Sequence, residues 1–237
     1  MNFKIISDLY PYLKSFRHWL LPQSCFLCGD ANPQTICSYC LESLPYQKTA
    51  CQHCARSLPK NGVCGKCLQR PPPYQRTQVV FSYDYPVNKL ILAMKFNDNL
   101  ALLKLSGHLM AQRLDLEPRP DVLIPVPLHP KRLRQRGYNQ SLELAKMIAK
   151  QTGIPLNYTA CKRIRNTPQQ TRLTAEQRET NVRGAFQVQF VKPEWQHLVI
   201  IDDVMTTGAT VTELANMFLN AGIRRVDVWC CARRNFS

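Results

Sequence analysis

Apolar and polar positions follow two rhythms over the last two-thirds of this chain. The apolar run 198–201 predicts a buried strand, and shorter apolar-rich stretches predict strands at residues 77–83, 121–127, 155–161, 185–188 and 226–232. Between them, apolar residues recur three and four apart. That spacing predicts helices through Leu90, Ile91, Met94 and Phe96, and through Leu102, Leu105, Leu109 and Met110. A third runs through Leu142, Ala145, Ile148 and Ala149 and stops at Gly153; a fourth covers 210–219, with Gly222 near its end. Thr174-Ala175-Glu176-Gln177 has a capping-box pattern and predicts a short helix. Strands alternating with helices imply an α/β fold with a mainly parallel sheet flanked by helices.

The run Leu198-Val199-Ile200-Ile201 ends in two adjacent carboxylates, Asp202 and Asp203. Val204 and Met205 follow, then Thr206-Thr207-Gly208-Ala209-Thr210, which opens the last helix. Strand, small-residue turn and helix start form the place where open α/β sheets present a ligand. Hydroxyls and N–H groups at a helix start suit a phosphate monoester. Carboxylates do not hold that phosphate, but they accept hydrogen bonds from sugar hydroxyls close by. The stretch therefore reads as a site for a sugar phosphate with free vicinal hydroxyls. It resembles the phosphoribosyl-pyrophosphate (PRPP) signature of type I phosphoribosyltransferases at every position. The resemblance implies that Asp202 and Asp203 hold the ribose hydroxyls and that Thr206, Thr207, Gly208, Ala209 and Thr210 cradle the 5-phosphate.

Cysteine usage adds a second module. Eight of eleven cysteines form four Cys-x-x-Cys pairs: Cys25 and Cys28, Cys37 and Cys40, Cys51 and Cys54, Cys64 and Cys67. Each pair puts two thiolates on one tight turn, and two turns complete a tetrahedral site. Four pairs therefore predict two zinc sites, although an iron–sulfur cluster would also accept four thiolates. Sequential pairing gives a double zinc ribbon; a cross-braced pairing stays open. His53, inside the third pair, is read as a bystander, and Cys161, Cys230 and Cys231 as packing residues. The domain plan is a helical segment over 1–22, the double zinc ribbon over 23–69, a Pro-rich linker over 70–76, and a phosphoribosyltransferase-like domain over 77–237.

Charge completes the site. The chain carries 31 Lys+Arg against 16 Asp+Glu, a formal net charge of +15, which favours phosphorylated or polyanionic partners. Lys131, Arg132, Arg134 and Arg136 crowd the loop after residues 121–127, where they can meet a pyrophosphate. Lys162, Arg163, Arg165, Arg172, Arg178 and Arg183 surround a second loop. His129 either contacts a phosphate or fixes the first loop.

The wording of that first loop, Pro-Leu-His-Pro-Lys-Arg-Leu-Arg-Gln-Arg-Gly-Tyr-Asn-Gln, is similar to the ComF/GntX family of competence and DNA-utilisation proteins. The Cys-pair module, Lys95-Phe96, and Arg165-Asn166-Thr167-Pro168-Gln169-Gln170-Thr171-Arg172 with Arg178 carry the same resemblance. It implies handling of incoming DNA for transformation or nutrition. The implied site has Asp202, Asp203, Arg132 and Arg136 at the reacting end, with Mg²⁺ accompanying PRPP. It also implies a loop over 162–176 (Arg163, Arg165, Gln170, Arg172, with Arg178 beyond) that closes on substrate or follows single-stranded DNA, and a DNA-translocating helicase as partner. The alternative is an active phosphoribosyltransferase with an unidentified acceptor. No apolar stretch is long enough to span a membrane. Lys4, Asp8, Lys14 and Arg17 interrupt the first twenty residues, so the expectation is a cytoplasmic protein without a signal peptide.

Overall fold

The computed structural model describes residues 24–96, 99–167 and 181–235. The chain divides into two compact units, 1–44 and 45–237. The expected N-terminal helix and the capping-box helix at Thr174 lie outside the described residues.

In the smaller unit the described part is two Cys turns and a short helix, α1 (Ser38–Glu42). The larger unit begins with two further Cys turns and α2 (Gly65–Gln69). It continues through β1 (Arg76–Ser82), α3 (Val87–Phe96), α4 (Leu100–Arg113), β2 (Val122–Pro125), α5 (Pro130–Arg136), α6 (Gln140–Thr152), β3 (Cys161–Arg163) and β4 (Phe186–Val188). It ends with β5 (His197–Met205), α7 (Ala209–Asn220) and β6 (Arg225–Arg233).

Four strands form one sheet in the order β1-β6-β5-β2, and every pairing is parallel. Parallel order requires crossover connections, and helices occupy them, as the sequence pattern predicts. β5 is central, with Leu198 through Ile201 fully buried, so a continuous apolar run is what this position demands. Its register sets Ile201 beside Trp229 of β6 and Pro125 of β2, which brings the carboxyl ends of β2, β5 and β6 to one edge.

Three expectations change. The basic run at 130–136 is a helix, not a loop. Leu133 is its one aliphatic side chain beyond Pro130, and none of its residues is buried, so hydrophobic periodicity is silent there. Its ends still obey local rules: His129 Nδ1 accepts from Lys131 N at 3.2 Å, Pro130 opens the first turn, and Gly137 closes it at φ 74°. The strand expected over 155–161 contributes a single bridge, Leu156 to Leu123. β3 and β4 form a separate antiparallel pair and do not extend the main sheet.

Candidate functional site

The threonine turn sits at the exit of β5. Gly208 is in the left-handed region at φ 87°, directly before α7. That conformation demands glycine, while the space is merely tight: a Cβ there would come within 2.9 Å of the movable Met205 Cε and 3.3 Å of Tyr74 Oη. Thr207 Oγ1 accepts from Ala209 N at 3.3 Å, and the Gly208 cap position has no side chain to offer the helix start.

Beside this turn lies a cavity of about 170 Å³. Its lining includes Asp202 and Asp203, Thr206 and Thr210, and Arg132, Arg136 and Arg163. The two acids are held differently. Asp202 Oδ1 accepts from Ser141 Oγ at 3.1 Å and from Asp203 N at 2.9 Å. Asp203 Oδ2 pairs with Lys95 Nζ at 2.9 Å. Burial, then the neighbouring Asp203 charge, push Asp202 up to about 7 against the pull of Lys95.

Three arginines form a basic wall of the same cavity. Arg132 Nη2 donates to Thr167 O at 2.6 Å, and Arg163 Nη2 donates to Thr167 Oγ1 at 2.5 Å. Arg136 Nη1 donates to Gln140 Oε1 at 3.2 Å. Burial and the nearby Arg132 charge bring Arg163 down to about 10, with Asp202 opposing. Arg163 Nε is buried with no hydrogen-bond partner among the described residues. Such an electropositive wall, two guanidiniums of which face the desolvation of their charge, favours an anionic ligand.

Of the residues singled out from sequence, Thr207, Gly208 and Ala209 shape the turn without lining the cavity. Arg163 is a buried wall residue, stacked 5.3 Å from the Phe186 ring, and Arg165 is exposed, donating to Arg183 O at 2.6 Å. Gln170, Arg172 and Arg178 lie outside the described residues. Sequence reasoning gave no role to Ser141, nor to Lys95 as the partner of Asp203. Their signals are tertiary: α3 and α6 deliver them across a distance no local motif encodes.

The cysteines gather into two sets, Cys25, Cys28, Cys37 and Cys40, and Cys51, Cys54, Cys64 and Cys67, with all thiol sulfurs of a set within 4.8 Å of one another. Pairing is therefore sequential, and His53 lies outside both sets. The sets repeat one design. Cys37 N donates to Cys25 Sγ and Cys64 N to Cys51 Sγ, each at 3.3 Å. Gly29 at φ 84° and Ala55 at φ 52° occupy equivalent positions after each first pair. Burial opposes the Cys25 and Cys51 thiolates, yet backbone N–H groups outweigh it and bring each to about 6. In each set four thiols converge and one of them is prepared as a thiolate, which suits a tetrahedral zinc ion. Zinc would serve here as a structural cross-link.

No helix among the described residues is long and apolar enough to cross a membrane.

Residues 16–68 match the family model of the double zinc ribbon domain. The chain is 35% identical over 223 residues to DNA utilization protein YhgH of Escherichia coli K12, covering 90% of this chain and 98% of that one. It is 39% identical over 176 residues to the Salmonella typhi protein of the same name, covering 72% and 77%. Competence protein F of Haemophilus influenzae is 30% identical over 178 residues, covering 72% and 78%. Among solved structures, a glutamine PRPP amidotransferase from Bacillus subtilis complexed with ADP and GMP aligns with 54% of this chain and 25% of its own, at 25% identity and a TM-score of 0.38.

Proposed function

We propose a function from one premise: this chain belongs to the ComF/GntX family of competence and DNA-utilisation proteins. Its role is the handling of incoming DNA, through a pocket for PRPP or a nucleotide 5-phosphate and a basic surface for single-stranded DNA. One observation carries the reading: a carboxylate pair, a threonine-lined turn and three arginines surround a single cavity. Asp202 and Asp203 take the ribose 2- and 3-hydroxyls. Thr206 and Thr210, which line the cavity on either side of the Gly208 turn, take the 5-phosphate. Arg132, Arg136 and Arg163 take the pyrophosphate, which carries its own Mg²⁺. Lys95 neutralises Asp203 while the pocket is empty and yields to the diol on binding.

The state of Asp202 gives this binding a pH dependence. A protonated carboxyl at 202 has lost its strongest acceptor capacity for a sugar hydroxyl. Binding therefore releases a proton, and affinity for Mg²⁺·PRPP falls by about tenfold per pH unit once the pH drops below about 7. Calorimetry in two buffers of different ionisation heat reads that proton; a pH-independent affinity contradicts the assignment. The same shift affects stability with a defined sign. The folded chain keeps a proton that the unfolded chain has released, so this group's contribution is full at low pH and is lost as the pH rises to about 7.

Lys131, Arg134, Lys162, Arg165 and Arg183 are exposed and form the surface that we assign to single-stranded DNA. Replacing Arg134 and Arg165 together by Ala lowers oligonucleotide affinity and reduces the salt slope by about 1.4, at roughly 0.7 per phosphate contact. Fluorescence anisotropy across a salt series measures it. An unchanged slope removes these residues from the interface.

Transferase chemistry is the second reading, because the same cavity extends to Tyr83 and Leu92 and leaves a wall for an acceptor. Release of pyrophosphate from PRPP across a panel of bases and nucleotides tests it. A cytoplasmic location and docking of a DNA-translocating helicase belong to the same proposal; cell fractionation tests the first and co-purification the second.

A further inference from the structure

Arg233, the last residue of β6, is only 3% exposed, and no salt bridge reaches it among the described residues. Carbonyl oxygens meet its guanidinium instead. Nε donates to Cys54 O at 2.8 Å; Nη1 donates to Met205 O at 2.9 Å, to Arg234 O at 3.1 Å and, more closely, to Thr206 O. One rigid, planar group thus joins the backbone of a second-set cysteine to the first residues of the threonine turn.

Neighbouring contacts tighten the same joint. Thr77 N donates to Gln52 O at 3.0 Å, Thr77 Oγ1 donates to His53 O at 2.5 Å, and His53 Nδ1 meets Gln75 O at 2.8 Å. The Cys51–Cys54 turn is therefore fastened to β1 along its length. Tyr74, 3% exposed, presses its hydroxyl beside Gly208. A divalent ion held by four thiolates leaves a net negative cluster, which supplies the counter-charge that a buried guanidinium otherwise lacks.

We propose that Arg233 is a positioning residue that ties the second four-cysteine cluster to the 206–210 turn, so that the turn takes its anion-binding shape only while that cluster holds its metal. The proposal rests on the reading of 206–210 as the 5-phosphate site. It makes the second metal a condition for ligand binding as well as for folding of the ribbon. Lysine cannot replace Arg233, because a single ammonium does not reach Cys54 O and the carbonyls of 205 and 206 together.

The test uses the full-length, metal-loaded chain carrying Arg233→Lys, with metal content measured. The expected result is full metal content, faster hydrogen exchange at amides 206–210, and ribose 5-phosphate affinity reduced by about tenfold, a usual size for coupling between sites. Affinity for inorganic pyrophosphate, held by the arginine wall, stays unchanged. Cys67→Ser gives the same split, and adding Arg233→Lys to it changes little further. Unaltered exchange and affinity in Arg233→Lys overturn the proposal. So does a parallel loss of ribose 5-phosphate and pyrophosphate, which marks general loosening. Failure of the unsubstituted chain to bind ribose 5-phosphate overturns the phosphate-site reading instead, and the exchange data then decide the tie by themselves. Should Cys67→Ser not fold, Arg233→Lys carries the decision.

Discussion

Replacing Asp202 and Asp203 together by Asn lowers Mg²⁺·PRPP affinity by at least about 100-fold, the equivalent of losing two charge-assisted hydrogen bonds of roughly 1.5–3 kcal/mol each. The geometry sets this size. Asn keeps the volume and one acceptor, so the cavity survives while the anionic acceptors disappear. It also strands Lys95, whose ammonium now lies 2.9 Å from Asp203 Oδ2, as an uncompensated cation beside the arginine wall. That extra charge raises general attraction for anions. Inorganic pyrophosphate should accordingly bind the double variant at least as well as the parent, while PRPP does not. Titration calorimetry with both ligands separates the effects. Equal PRPP affinity in parent and variant would remove the diol from this site.

The second large effect is on stability. The buried core of the second ribbon is Cys51, Cys64 and Cys67, with Cys54, Leu58 and Val63 packed partly against it. So small an apolar set cannot order a segment of this length without a cross-link. Structural zinc contributes apparent binding energies on the order of 10–16 kcal/mol in small modules. Chelation should therefore unfold residues 51–67 and lower Tm by more than about 10 °C, given that each kcal/mol is worth about 2–4 °C in a domain of this size. Loss should spread to β1 and β6, because Thr77 holds Gln52 O and His53 O while Arg233 holds Cys54 O. Hydrogen exchange with and without chelator reads both the local and the transmitted change. A Tm unmoved by complete metal removal would contradict this picture of the ribbon.

Much of this is legible in the amino-acid sequence itself. The apolar run 198–201 announces a central parallel strand, and the acids and threonines after it mark the end of that strand where Asp202, Asp203, Thr206 and Thr210 line one cavity, because both signals are local and short. The four Cys pairs are equally legible, and the structure supplies the pairing that spacing left open. What escaped was long-range. Lys95 faces Asp203, Ser141 supports Asp202, and Arg233 clasps Cys54, Met205 and Thr206, each from a separate element. No local motif marks Arg233, the residue after the expected strand 226–232, as one whose guanidinium is enclosed by carbonyls. Helix α5 escaped for a different reason: a short helix with no buried face has no periodicity, and only His129, Pro130 and Gly137 mark its ends.

The decisive measurement is a crystal structure of the chain with Mg²⁺ and PRPP. The ribose 2- and 3-oxygens should lie within hydrogen-bonding distance of Asp202 and Asp203, the 5-phosphate should sit on the 206–210 turn, and the pyrophosphate should lie against Arg132, Arg136 and Arg163. A ligand bound elsewhere, or one whose phosphoryl groups leave the threonine turn empty, would contradict this assignment.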